Sequence, residues 1–286
     1  MPISEQPVSE QQKQAEVFRS LHHNDKPLLL ANVWDVASAR VVEQAGFPAL
    51  ATTSAGVAFA HGFPDGQKIP PELMFAAIAE IARAVAVPVT ADVEAGYGNT
   101  PEAAARTAQG VIEAGAIGMN FEDATGDSDR PLAELPLQLE RLRAIRETAN
   151  NFGVPLVVNA RTDIYLAQVG KPESRYDETV RRLSAFRDAG ADCVFAPGLG
   201  DLPTIRRIVA DLQYPVNILV GPGSPSIAEL AAAGVKRVSL GSGPMRATLG
   251  LLRRLAHELI TAGTYTAMQD SPPHAEINRL MSGIRN

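Results

Sequence analysis

Eight short apolar runs, each four to eight residues long and bounded by Gly, Pro, Asn or Asp, alternate with amphipathic stretches along this chain. They are Leu28–Val33, Ala49–Thr53, Val87–Val93, Ile117–Asp123, Val154–Arg161, Cys193–Pro197, Val216–Val220 and Arg237–Gly241. Runs of this length read as buried strands. The stretches between them, such as Pro71–Val85, Leu135–Asn150 and Glu173–Ala189, carry apolar residues three and four apart, the spacing of one helix face. Ser226 followed by Glu229 predicts a capping box, and Pro101 after Thr100 suits a first helical position. Ala45-Gly46, Ala114-Gly115, Ala189-Gly190 and Ala233-Gly234 each precede a strand, as left-handed helix stops do. The repeat is about 30 residues, one βαβ unit. Strands apolar on both faces and separated by helices predict an all-parallel sheet, and eight units close most naturally into a (β/α)8 TIM-type barrel. An open, doubly wound α/β sheet is the competing arrangement. The expectation is one domain over residues 1–286, with a barrel core of about 27–262, an extra N-terminal helix before it and a C-terminal helical extension, 263–286, after it.

Composition narrows the partners. Lys+Arg 26 against Asp+Glu 32 gives a net charge of −6, so no polybasic field is available to hold phosphate backbones, and nucleic acid is not an expected ligand. One cysteine forms no internal disulfide, which suits a reducing compartment. No apolar stretch reaches the length of a membrane span. A soluble, cytoplasmic protein without membrane contact is the expectation.

In a parallel barrel, chemistry is placed at the C-terminal ends of the strands. Here three consecutive strands end in charge: the third in Asp92-Val93-Glu94, the fourth in Asn120-Phe121-Glu122-Asp123, the fifth in Asn159-Ala160-Arg161-Thr162-Asp163. Alternation along an extended segment places Asp92 and Glu94 on one face. Crowded carboxylates repel unless protonated or neutralised by a cation. Oxygen ligands without His or Cys favour Mg2+ or Mn2+ over Zn2+. Asp123 and Asp163 read equally well as members of this acid cluster or as solvated acids and helix N-caps at strand–helix junctions. Arg161 has two readings, a structural partner for the neighbouring acids or a planar fork for an anionic substrate. The small residues Thr53, Ser54, Ala55 and Gly56 leave backbone N–H groups approachable, and Asp65 stands within reach of the same mouth. Trp34 either walls the pocket or packs, and His61 is the one histidine placed to line it. His22, His23, His257 and His274 read as structural or surface groups, and Cys193 as a small buried hydrophobe. The glycine-rich loops Gly221–Ser226 and Gly241–Gly243 suit either phosphate binding or helix capping.

Taken together, 31–39 (ANVWDVASA), 52–56 (TTSAG), 91–98 (ADVEAGYG), 120–123 (NFED), 159–163 (NARTD) and 221–225 (GPGSP) resemble the isocitrate lyase/phosphoenolpyruvate mutase superfamily. The resemblance implies a Mg2+-dependent barrel acting on small 2-oxo carboxylates, and a homo-oligomer, dimer or tetramer, whose eighth helix is exchanged between protomers. It implies Asp92 as principal metal ligand, with Glu94 and Glu122 beside it. It further implies Arg161 on the substrate, Thr53, Ser54 and Ala55 at the substrate carboxylate, and Asp65 organising metal-bound water or substrate. One departure is plain. Carbon–carbon lyases of the superfamily carry Lys-Lys-Cys-Gly-His on the loop after the fourth strand, whereas residues 124–132 read ATGDSDRPL, without Cys, Lys or His. The mutases' lysine and asparagine are missing there too. The expected function is a lyase-type cleavage of an oxaloacetate- or methylisocitrate-like acid through a metal-stabilised enolate. Phosphonopyruvate chemistry and non-catalytic 2-oxo acid binding are the alternatives.

Overall fold

A computed structural model describes residues 9–283; residues 1–8 and 284–286, the outer ends of the expected domain and tail, lie outside the described residues. The strands are β1 (Leu28–Leu30), β2 (Asn32–Val33), β3 (Leu50–Thr52), β4 (Val89–Asp92), β5 (Gly118–Glu122), β6 (Val157–Arg161), β7 (Cys193–Phe195), β8 (Val216–Leu219) and β9 (Arg237–Ser239). All pair in parallel in the order β1-β9-β8-β7-β6-β5-β4-β3-β2. Because β1 and β2 are separated by Ala31 alone, the two ends of the sheet meet and the barrel is nearly closed. The first expected strand is thus split in two. The Asn32 side chain bridges the seam: its Nδ2 donates to Thr52 O (2.8 Å), while its Oδ1 accepts from the N–H groups of Leu240 and Gly241, both at 2.8 Å.

The helices are α1 (Glu10–Leu21), α2 (Val36–Gln44), α3 (Ser54–Ala60), α4 (Pro71–Ala84), α5 (Pro101–Glu113), α6 (Leu135–Asn151), α7 (Pro172–Asp188), α8 (Leu202–Leu212), α9 (Ile227–Ala232), α10 (Gly243–Thr261) and α11 (His274–Met281). Local chemistry sets their limits. The Ser226–Glu229 capping box opens α9, Thr100 caps α5 with Pro101 in its first turn, and Asp35 and Thr53 cap α2 and α3. Gly46, Gly115, Gly190 and Gly234 are all left-handed, as the four Ala-Gly stops predict. Helices α4 to α8 bury apolar faces against the outside of the sheet, in a core running from Val57 to Val238. No helix among the described residues is long and apolar enough to cross a membrane.

Helix α1 plugs the N-terminal end of the barrel. Its Phe18, fully buried, enters a cluster with Leu28, Leu30, Ala51 and Val157 of the strands and with Ile117, just before β5. At the other end of the chain, α10 buries only Met245 among its side chains, leaving Leu252 at 59% and Ile260 at 87% exposure. The tail then folds back, and Arg40 of α2 donates to the carbonyls of Leu280 and Met281 at the end of α11. Phe18→Ala empties the barrel floor and is expected to lower stability by about 3–5 kcal/mol in urea unfolding.

Candidate active site

The side chains at the C-terminal ends of β4, β5 and β6 converge on one mouth. Strand β4 ends at Asp92, whose backbone N–H donates to Thr52 Oγ1 (2.8 Å). Its Oδ2 accepts from both the N–H (3.0 Å) and the hydroxyl (2.8 Å) of Ser54. Its Oδ1 is buried and has no partner. The Ser54 N–H expected for a substrate carboxylate is therefore spent on Asp92. Thr53 caps α3 through Gly56 N–H (3.3 Å), and Ala55 lies buried in the first turn. Trp34 is partly buried beside Gly56, where an added Cβ would stand 3.0 Å from Trp34 Cβ.

Glu94 reaches the mouth by a route the alternation does not anticipate. The strand stops at Asp92, and Glu94 (φ 51°), Gly96 (φ 82°) and Tyr97 (φ 52°) are left-handed, so a turn rather than strand pleating aims the second acid. A left-handed conformation strains a residue bearing Cβ, by about 1–3 kcal/mol. Only glycine fits at 96, because a Cβ there would lie 2.7 Å from the Phe121 ring. Three side chains from outside the turn hold it, and a fourth backs them. Gln67 N–H donates to Glu94 Oε2 (2.7 Å) and its Oε1 accepts from Tyr97 N–H (2.6 Å). Thr107 Oγ1 donates to Gly96 O (2.7 Å). Arg141 Nη2 donates to the carbonyls of Ala95 and Gly98, and its guanidinium lies over the Phe121 ring at 4.7 Å. Gln138 accepts from Arg141 (2.7 Å) and donates to Glu122 O (3.1 Å), tying the turn to the end of β5. None of these four carries a motif, and periodicity alone marks Arg141 as one more polar residue on α6.

Glu122 and Arg161 are register partners on β5 and β6, and Glu122 Oε2 stands 2.7 Å from Arg161 Nη1. Arg161 also donates a fork to Asp163, Nε to Oδ1 at 2.5 Å and Nη2 to Oδ2 at 2.8 Å. The arginine is thus paired on two sides. Burial works against its charge, but Glu122 and Asp163 more than offset this and hold its pKa above the ordinary arginine value. Burial pushes Glu122 well above the usual carboxylate range despite Arg161. Glu94 rises to about 7, from burial first and then from Asp92 and Asp65. Asp65, on an exposed loop, is also raised, by desolvation of its carboxyl and by Asp92.

Asp123 belongs to a different arrangement. It is fully buried and accepts from Thr162 Oγ1 (2.7 Å), Asp163 N–H (3.0 Å) and Arg182 Nη1 (3.1 Å). Arg182 donates as well to Ala133 O (2.9 Å), and Ala133 N–H donates to Asp123 O (2.8 Å). These contacts pinch the base of the loop 124–132, which is exposed and closes on itself through an Ala124–Leu132 bridge and an Asp127–Arg130 pair (3.6 Å). In the glycine-rich loops Ser226 caps α9, Ser224 Oγ accepts from Gly221 N–H (3.0 Å), and Gly241 N–H belongs to the Asn32 seam. His61 is exposed at the end of α3; His22 and Cys193 are buried. Clefts of about 320 and 310 Å3 lie at the opposite, N-terminal end of the strands, lined by residues such as Leu21 and Phe47 or His23 and Lys236, away from the acid cluster.

Among the described residues no three His, Cys, Asp or Glu side chains form a ready metal cage. Within the expected trio of Asp92, Glu94 and Glu122, Glu122 is engaged by Arg161, and one oxygen each of Asp92 and Glu94 is engaged by Ser54 and Gln67. What stays open is Asp92 Oδ1 and Glu94 Oε1, both buried and unpartnered. Mg2+ takes one or two carboxylates and fills its octahedron with water and substrate oxygens, so these two oxygens fit that ion.

The nearly closed parallel barrel and the acids at its strand ends define an α/β barrel of the isocitrate lyase/phosphoenolpyruvate mutase superfamily, a group of carbon–carbon lyases and mutases. The chain belongs to the phosphoenolpyruvate phosphomutase family, whose model matches residues 18–260. It is similar to a putative lyase/mutase of Burkholderia cenocepacia J2315, with 41% identity and a TM-score of 0.89 over 94% of this chain and 95% of that one. An uncharacterized protein of Mycobacterium tuberculosis is 32% identical over 269 residues, 94% of this chain and 97% of that one. An oxaloacetate decarboxylase of Ectopseudomonas mendocina is 29% identical over 250 residues, 83% and 81% of the two chains.

Because burial raises Glu94 from 4.5 to about 7, the folded chain binds a proton there that the unfolded chain releases. Stability of the metal-free protein is expected to fall as pH rises from about 4.5 to about 7, by up to about 3 kcal/mol from this group, and to level off above. Glu94→Gln should remove that share of the slope from urea-unfolding free energies measured across the same range.

Proposed function

We propose that the mouth binds a small 2-oxo carboxylate together with Mg2+ or Mn2+ and cleaves a carbon–carbon bond, with decarboxylation of oxaloacetate as the reaction its residues support best. The observation that carries this reading is the pair of buried oxygens without partners, Asp92 Oδ1 and Glu94 Oε1, in a cluster that also contains Arg161. These two oxygens would hold the ion, with Glu122 beside them. Bound there, it supplies Lewis-acid charge to the 2-oxo and carboxylate oxygens of the substrate.

The chain's own residues divide the remaining work. Ser54 fixes Asp92 by two donors on Oδ2 and so presents Oδ1 to the mouth. Gln67 does the same for Glu94 through Oε2. Arg161 stays a guanidinium, held in place by Glu122 and Asp163, and adds a second positive group for the oxygens on which charge collects. Thr53, Ala55 and Trp34 form the wall on the β3 side, and Asp65 orders water or substrate at the rim. In oxaloacetate the C3–C4 bond breaks, CO2 leaves, its electron pair becomes the enolate of pyruvate, and C3 takes a proton. That proton transfer needs no thiol, which accords with a loop 124–132 lacking Cys, Lys and His. Asp127 and Asp129 are the acids that loop offers. The composition of that loop favours this choice over lysis of a methylisocitrate-like acid.

The family's phosphomutase name favours one second reading, carbon–phosphorus chemistry on phosphonopyruvate. Phosphorus NMR of a phosphonopyruvate incubation separates the two. The exposed apolar face of α10, with Leu249, Leu252, Leu259 and Ile260, supports exchange of this helix between protomers of a homo-oligomer. Light scattering should then return a multiple of 30.4 kDa.

With Mg2+ and oxaloacetate the protein should release pyruvate, and EDTA should stop it. Asp92→Ala should lower kcat/KM by roughly a thousandfold or more; a variant as active as the parent would sink the reading. Mg2+-dependent binding by calorimetry without product over hours would identify a 2-oxo acid binder instead.

A further inference from the structure

Barrel interiors are ordinarily filled by Val, Ile and Leu. Beneath this mouth the filling is polar. Asn120 and Asn159 lie two residues before Glu122 and Arg161 on the same faces of β5 and β6, and Asn159 Nδ2 donates to Asn120 Oδ1 (2.7 Å). Under them sits Arg237, the first residue of β9 and fully buried. Its Nη2 donates to Asn120 Oδ1 (3.2 Å), Nη1 faces His22 Nε2 at 3.5 Å, and the guanidinium lies 5.8 Å from the Phe18 ring centre. Nε has no partner, and Arg237 makes no ion pair among the described residues. His22 offers it no charge, because burial and Arg237 itself push the imidazole down to about 3. Burial lowers Arg237 only to about 10, so it is a cation at neutral pH.

A buried arginine without an acid is costly, and an apolar side chain of similar volume would fill the space more stably. What offsets the charge lies above it. Asn120 is the register partner of Asp92 on β4 and stands two residues before Glu122 on β5. Asn120 therefore lies between Arg237 and the layer of acids that forms the mouth.

We propose that Arg237 is a positioning residue that acts through its field: a buried counter-charge that strengthens binding of an anionic ligand at the mouth and weakens binding of a dication. The assignment rests on the mouth reading proposed above, since it matters only if ions bind there. Arg237 touches neither ion. At an effective dielectric near 20 and a separation of roughly 10 Å, one unit charge changes affinity for another on the order of tenfold.

The test uses Mn2+ and oxalate as probes, with affinities from calorimetry and melting temperatures alongside. Because each probe carries two charges, Arg237→Met should bind Mn2+ alone about a hundredfold more tightly, and oxalate at saturating Mn2+ about a hundredfold more weakly. Its melting temperature should equal or exceed that of the parent. Arg237→Lys, which keeps the charge, should match the parent in both affinities. If Arg237→Met does not fold, Arg237→Gln, which keeps a donor for Asn120, carries the same expectations. A purely structural role would shift both affinities in the same direction or leave both within twofold, and either result overturns the proposal. So does an Arg237→Lys variant as altered as the methionine. If the parent binds neither Mn2+ nor oxalate, the mouth reading falls and this assignment with it; normal parent binding with unaltered variants removes Arg237 alone.

Discussion

Like charges held at neighbouring strand ends repel, and the mouth of this barrel is organised round that repulsion. Asp92, Glu94, Glu122 and Asp163 are all buried, with one arginine directly among them. The chain relieves the crowding in three ways. Arg161 is shared between Glu122 and Asp163, hydroxyl and amide donors are spent on Asp92 and Glu94, and Glu94 and Glu122 are pushed toward the protonated form. The two oxygens left without donors are where a divalent cation would complete the compensation.

Holding that arrangement requires support from behind. The turn after β4 has left-handed residues at Glu94 and Tyr97, a conformation that persists only when its surroundings over-determine it. Gln67, Thr107 and Arg141 come from three separate parts of the chain and bind the turn's backbone and Glu94 Oε2, while the Phe121 ring closes the space above Gly96. A second buried network, Asp123 with Thr162 and Arg182, fixes the base of the loop after β5 and leaves its tip exposed. The mouth thus has rigid walls on one side and a solvent-facing segment on the other.

That segment is also where this chain parts from the lyases it resembles. A loop without Cys, Lys or His offers no thiol to protonate a leaving carbanion. Metal-assisted enolate chemistry asks least of such a loop, because its charge is stabilised at the strand ends rather than from above.

The parallel barrel, its strand positions, the left-handed glycine stops and the convergence of Asp92, Glu122 and Arg161 were legible in the residues, because strand periodicity and strand order are local patterns and the topology follows from their repetition. Other features were not. The split between β1 and β2, the turn that redirects Glu94, the engagement of Ser54 by Asp92, and the roles of Gln67, Arg141, Arg182 and Arg237 depend on which side chains closure brings together. Arg141 and Ala95 are 46 positions apart, and Arg237 and Asn120 are 117 apart. Periodicity assigns a residue to a face, whereas a hydrogen bond needs a partner within about 3 Å. Over such separations only the folded barrel supplies that distance.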